Sequence, residues 1–184
     1  MLVKLLVAGP LAVGKTTLID AVSETKPWHT EETMTRAGAD TDILAGVQDK
    51  TTTTVAIDFG RRTMDEDLVL YLFGTPGQKR FRLLWEDVSR GALGALVLVD
   101  SRRLGDSFEV MNMLEEQGLS YAVAVNTFPD SPDVPIDTLR VALDLAPTTP
   151  LVTCDARDTV SSLHALIALV KHLLLPSIPE VSPC

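Results

Sequence analysis

The run Gly9-Pro10-Leu11-Ala12-Val13-Gly14-Lys15-Thr16 sets two glycines, a lysine and a hydroxyl residue at the spacing G-x-x-x-x-G-K-[ST]. That spacing suits phosphate chemistry. Backbone N–H groups of Ala12, Val13, Gly14, Lys15, Thr16 and Thr17 can curl around a β-phosphate at the positive end of a helix. Lys15 is then expected to bridge β- and γ-phosphate oxygens, and the Thr16 hydroxyl to ligate Mg²⁺. The same pattern also occurs as a glycine-rich strand-to-helix turn that binds nothing. Here an apolar run, Leu2–Ala8, precedes it and a helical segment, Thr16–Glu24, follows, which is the context that phosphate binding needs.

Further along stand Thr54-Val55-Ala56-Ile57-Asp58-Phe59 and Gly74-Thr75-Pro76-Gly77-Gln78-Lys79-Arg80-Phe81, then Arg90-Gly91-Ala92-Leu93-Gly94, an apolar strand and Asp100. In this order, from Leu2 to about Leu174, the chain resembles the Ras-like small GTPase superfamily, especially its Rab and bacterial polarity branches. The pairing of Leu72–Gln78 with Lys50–Thr54 looks closest to GTPases of actinobacterial conservon operons. The resemblance implies GTP or GDP and Mg²⁺ as ligands. It makes Thr54 the switch threonine that closes on Mg²⁺ and the γ-phosphate, with Thr51, Thr52 and Thr53 competing for that role. It makes Gly77 a backbone donor to the γ-phosphate and Gln78 the residue that orients the attacking water. It further implies a roadblock-type regulator and a sensor-kinase-like protein as partners.

Three departures from the family pattern bear on that expectation. Gly74 stands where relatives carry the aspartate that supports the Mg²⁺ shell. The support must then come from Asp58, Asp100 or an acid in the long loop, and an aspartate restored at position 74 is expected to tighten Mg²⁺ dependence. Leu11 stands where Ras has a glycine beside the γ-phosphate, and the resemblance implies that a branched side chain there crowds Gln78 and any arginine inserted from a partner. The base-reading motif N-K-x-D appears as Asn126-Thr127-Phe128-Pro129, with Asp130 one residue late. Pro129 can turn the loop so that Asp130 reaches the base or leave it short, and both readings stay open. The last family element, S-A-K, appears as Asp155-Ala156-Arg157. There the Ala156 N–H is expected to meet guanine O6 and Arg157 to cover the base, while Asp155 is either a base contact or a helix cap or loop acid.

These residues need a scaffold. Thr53–Arg62 alternates apolar and polar positions and meets Leu68–Phe73 across Met64-Asp65-Glu66-Asp67, a hairpin signature. Gly91–Asp100, Tyr121–Asn126 and Leu151–Cys154 read as strands, and Ser107–Gln117, Ile136–Leu143 and Val160–Leu174 as helices. Apolar strands alternating with amphipathic helices predict an α/β fold of the P-loop NTPase type. The expected sheet is six-stranded and mostly parallel, with one antiparallel edge strand and helices on both faces. Thr25–Lys50 is polar and aperiodic and reads as a long loop. Trp85, with Phe81, Leu83 and Leu84, is either part of a partner surface or core packing.

At 184 residues and 46% hydrophobic, the chain suits one domain, 1–176, with a short tail over 177–184. A net charge of −9 argues against a surface that tracks nucleic-acid phosphates. Two cysteines make no disulfide framework, no export signal is evident, and no apolar run reaches the roughly 18–20 residues of a membrane span. A cytoplasmic location follows, with recruitment to a membrane through a protein partner. The functional expectation is a guanine-nucleotide switch with slow, partner-stimulated hydrolysis. Its rival is a non-hydrolysing, nucleotide-bound scaffold, favoured by Gly74, Leu11 and the altered base motif.

Overall fold

The computed structural model of the chain describes residues 1–34, 53–76 and 82–174. Strand β1 (Leu2–Ala8) lies at the centre of a seven-stranded sheet. On one side it pairs in parallel with β4 (Val69–Gly74), which pairs antiparallel with β3 (Thr53–Thr63), which pairs antiparallel with β2 (Trp28–Met34). On the other side β5 (Gly94–Asp100), β6 (Tyr121–Asn126) and β7 (Leu151–Cys154) follow in parallel. The α/β class, the mostly parallel sheet and its one reversed strand are present. The sheet gains one strand over the expected six, because part of the expected loop, Trp28–Met34, pairs along β3 and becomes the edge.

The helices are α1 (Lys15–Val22), α2 (Arg82–Ser89), α3 (Phe108–Glu116), α4 (Ile136–Ala142) and α5 (Thr159–Leu174). Alternation along β1 separates two cores. Val3, Leu5 and Val7 face Leu18 and Ile19 of α1 and Leu166 and Leu169 of α5. Leu6 and Ala8 face Trp85 of α2, Met111 and Leu114 of α3 and Leu139 of α4. Every residue of β5 is buried, as expected for a parallel strand covered on both faces. Trp85 is therefore core, which settles that alternative for its own side chain. Among the described residues no helix is long and apolar enough to cross a membrane.

The β3–β4 hairpin turns where the sequence indicates. Asp65 accepts the N–H groups of Asp67 and Leu68 at 2.8 Å each, and Met64 N–H closes on Leu68 O at 2.8 Å. This Asx turn brings β3 alongside β4. It thereby places Asp58 next to the carboxyl end of β4, where the phosphate loop lies.

Candidate functional site

The loop between β1 and α1 is held open by two glycines in the left-handed region. Gly9 has φ +140°, and a Cβ there would lie 2.5 Å from Leu98 O. Gly14 has φ +107°, and a Cβ there would lie 2.7 Å from Asn126 Nδ2. Any side chain at either position would collide with a neighbour that cannot retreat. Gly14 is also the N-cap of α1, and no side chain caps that helix. Its first-turn N–H groups are thus left to an anion. Ala12 adopts φ +61°, a conformation that costs a non-glycine residue about 1 kcal/mol or more and fixes the loop's curl. Leu11 is exposed at the loop's tip.

Lys15 folds back over the loop and donates to Gly9 O at 2.9 Å and Pro10 O at 2.7 Å. Burial pushes its ammonium down to about 8, opposed by the nearby Asp58 carboxylate. Phosphate binding needs the protonated form and raises this pKa again. Below about pH 8 the lysine is already charged, so its contribution to binding is flat. Above that, binding must take up a proton. Diphosphate affinity should therefore fall about tenfold between about pH 7 and about pH 9, and Lys15→Arg should flatten the slope. Calorimetric titration across that range checks it; a flat wild-type profile contradicts the assignment.

Thr16 donates its hydroxyl to Asp58 Oδ2 at 2.5 Å, and Asp58 is buried. Among the described residues, the acid that stands at the phosphate loop in place of the missing aspartate is Asp58. Asp100 is fully buried, but Arg102 grips it at 2.7 Å and Arg103 at 3.4 Å, so it serves the far end of β5. An ideal Cβ on Gly74 lies 3.0 Å from Asp58 Cβ, 3.1 Å from Asp58 Oδ2 and 3.2 Å from Ile19 Cδ1. Gly74 is thus the space that Asp58 fills, and the expectation that an aspartate at 74 restores support does not fit this packing. The acids of residues 35–52 lie outside the described residues.

Asn126 ties the two halves of the site together. Buried at the end of β6, it donates Nδ2–H to Val13 O at 2.9 Å and accepts the Ala156 N–H at 2.9 Å. The Ala156 amide, expected to meet a base oxygen, is thus engaged by Asn126. Thr127 donates its N–H to Cys154 O at 2.8 Å, which docks the loop after β6 onto β7. Asp155 receives Arg157 Nε at 2.9 Å and Nη2 at 2.8 Å, and this contact holds its carboxyl down to about 2. The pair leaves Arg157 exposed at the rim.

Asp130, at the end of the same loop, is exposed and pairs with Arg102 Nη1 at 2.5 Å. Arg102 belongs to none of the family motifs in the sequence. The available signal was a repeated Asp-x-Arg at two strand ends, Asp100-Ser101-Arg102 and Asp155-Ala156-Arg157. Both copies fold alike, with Oδ1 accepting the arginine N–H and Nε–H and Oδ2 accepting Nη2–H. Gly77 and Gln78 lie outside the described residues, and of Thr54 only its backbone place in β3 is described.

The structure brings together Ala12–Thr17, Asn126, Thr127, Asp155, Ala156 and Arg157 at the carboxyl ends of β1, β6 and β7. Among solved structures it is similar to the G domain of the Thermotoga maritima FeoB iron transporter, at 18% identity and TM-score 0.64, covering 94% of this chain and 99% of that one. It is also similar to the FeoB G domain from Methanococcus jannaschii, at 15% identity and TM-score 0.63, covering 94% and 98%. At such identities the likeness is one of fold, a P-loop α/β domain of the G-domain type. In sequence, the chain is 32% identical over 126 residues to an uncharacterized protein of Methanocaldococcus jannaschii, 67% of this chain and 69% of that protein. A family model described as conserved hypothetical ATP binding protein matches residues 7–175, from the end of β1 through α5. A match of that extent, over the whole nucleotide-binding framework, means that the chain belongs to this family of nucleotide-binding P-loop proteins.

Proposed function

We propose that the chain is a guanine-nucleotide-binding switch that hydrolyses GTP slowly, of the kind its sequence resembles in actinobacterial conservon operons. The observation that carries this reading is the convergence of Lys15, Thr16 and Asp58 at the mouth of an uncapped, preshaped phosphate loop. Lys15 would exchange two loop carbonyls for phosphate oxygens. Thr16 and Asp58 fit Mg²⁺: both offer hard oxygens, and a hydroxyl that donates to a carboxylate still turns its lone pairs to a cation. In this reading Thr16 and Thr54 ligate the metal, Asp58 steadies its shell, and the ion would neutralise charge on the β- and γ-phosphates. Gly77 and Gln78 supply the γ-phosphate contact and the water-orienting amide.

The family description names ATP; the guanine reading rests on the sequence resemblance at Asn126, Thr127 and Arg157, with the Ala156 N–H held by Asn126, and on Asp130 as the acceptor for the base. A roadblock-type regulator and a sensor-kinase-like protein are the proposed readers of the nucleotide state, the latter drawing a cytoplasmic domain, 1–176, to the membrane. The second reading, a nucleotide-stabilised scaffold that does not hydrolyse, is favoured by Leu11, 59% exposed where an incoming arginine or water would need room.

Single-turnover hydrolysis separates the two. The wild type should cleave bound GTP at around 10⁻⁴ s⁻¹, the rate of relatives without an arginine in the site. Gln78→Leu should bind GTP as well as wild type and cleave it at least about tenfold more slowly, since the loss falls on the transition state. If wild-type turnover does not exceed that of a Lys15→Ala control over hours, with and without partner proteins, the nucleotide is a structural ligand.

A further inference from the structure

The base end of the site holds a clamp that phosphate chemistry does not use. Asp100, fully buried at the end of β5, lies in register with Asn126 of β6. It accepts the Arg102 backbone N–H at 3.0 Å and Nε–H at 2.9 Å on Oδ1, and Nη2–H at 2.7 Å on Oδ2. A two-pronged contact plus a backbone contact fixes the plane of the guanidinium, which a lysine in its place would not allow. From that fixed plane Nη1 reaches Asp130 Oδ1 at 2.5 Å, and the guanidinium carbon lies 4.0 Å from the centre of the Phe128 ring. Both targets belong to the loop after Asn126. Ser131 closes this loop by accepting the Phe128 N–H on its hydroxyl at 2.9 Å and donating its own N–H to Phe128 O at 3.0 Å.

Pro129 makes this loop one residue longer than the four-residue motif it resembles, which leaves its terminal acid in need of support. Arg102 supplies that support and occupies one of the roughly four acceptor sites of the Asp130 carboxylate. The side chain stays 71% exposed, so it remains open to a ligand. Guanine presents a ring N–H and an adjacent exocyclic NH₂ to such an acid, whereas adenine presents a ring nitrogen lone pair that a carboxylate repels.

We propose that Arg102 is a positioning residue for nucleobase selectivity: anchored on buried Asp100, it holds Asp130 where the carboxylate accepts the N–H edge of guanine. The inference rests on the guanine reading above and adds the device that makes a displaced aspartate serviceable. It also gives Phe128 a role, as the face against which the guanidinium is pressed.

The test is the ratio of GDP to ADP affinity, measured by calorimetry on the full chain. Arg102→Ala alone would strand the buried Asp100 charge, so the working variants are Arg102→Lys and the pair Arg102→Ala with Asp100→Asn, each checked for an intact thermal transition. Wild type should prefer GDP. Asp130→Ala and the Arg102→Ala/Asp100→Asn pair should each lower that preference at least about tenfold while leaving ADP affinity within about threefold. Adding Asp130→Ala to the pair should cause no further loss, because the two sites act as one unit. Arg102→Lys should recover part of the preference, which a general loss of structure would not allow. If Asp130→Ala lowers the preference and both Arg102 variants keep it, the positioning role is overturned while the guanine reading stands. If Asp130→Ala keeps the full preference, or wild type has none, the guanine reading at Asp130 fails and the positioning role with it.

Discussion

Replacing Lys15 with alanine is expected to abolish measurable binding of nucleoside diphosphates, with a loss of at least about a hundredfold in affinity. The Lys15 ammonium sits where burial already lowers its pKa to about 8, so little water screens its contact with phosphate. Hydrogen bonds to charged partners are worth roughly 1.5–3 kcal/mol each, and here one cation serves two phosphates at once. The fold should not suffer. In the free protein Lys15 is bonded only to the carbonyls of Gly9 and Pro10 among the contacts described, and the burial cost of its ammonium offsets much of what those bonds and the nearby Asp58 charge contribute. Calorimetric titration with GDP and a thermal melt of the same sample separate the two quantities. Diphosphate affinity within about threefold of wild type would mean that the phosphate loop does not bind phosphate.

The second large effect is expected from Gly74→Asp. By analogy with the small GTPases that the sequence resembles, an aspartate here should strengthen Mg²⁺ binding, yet the packing predicts the opposite. Its Cβ would press on Asp58 and Ile19 at 3.0–3.2 Å, and its carboxylate would enter beside the buried carboxylate of Asp58. Overpacking typically costs about 1–3 kcal/mol, and a second buried carboxylate in one site adds like-charge repulsion or forces one of the two to be protonated. Stability should fall by about 2–4 kcal/mol near neutral pH, with weaker Mg²⁺ dependence of nucleotide retention. Combining Gly74→Asp with Asp58→Ala should recover much of both, because the acid has then only changed strands. Chemical denaturation and nucleotide off-rates across an Mg²⁺ titration report the two effects. A single Gly74→Asp variant with wild-type stability and tighter Mg²⁺ dependence would show that Asp58 does not hold this place.

Much of the fold was legible because its signals are local. The β5 run Gly94–Asp100 is apolar throughout, and a strand buried on both faces needs nothing else. The β3–β4 hairpin was legible from alternation and from Asp65 in the turn. Strand β2, Trp-His-Thr-Glu-Glu-Thr-Met, was not. It is an edge strand of mostly polar residues, and only its ladder with β3 shows what it is, a partner some two dozen residues away along the chain.

The site divides in the same way. Lys15 and Thr16 follow from a contiguous motif. Asp58 was one of several acids that could stand in for the missing aspartate, and the choice needed the cross-strand contact with Gly74. Arg102 and Asp130 are 28 residues apart in sequence, and neither periodicity nor spacing couples them. The same holds for Asn126, whose link to Val13 across 113 residues exists only once β1 and β6 stand in one sheet.

Whether this chain is a guanine-nucleotide switch is decided by the affinity of the nucleotide-free protein for GDP and for ADP, in the presence and absence of Mg²⁺. GDP should bind, be preferred over ADP by at least about tenfold, and leave more slowly when Mg²⁺ is present. Equal affinity for the two bases, tighter binding of ADP, or binding of neither would contradict that reading.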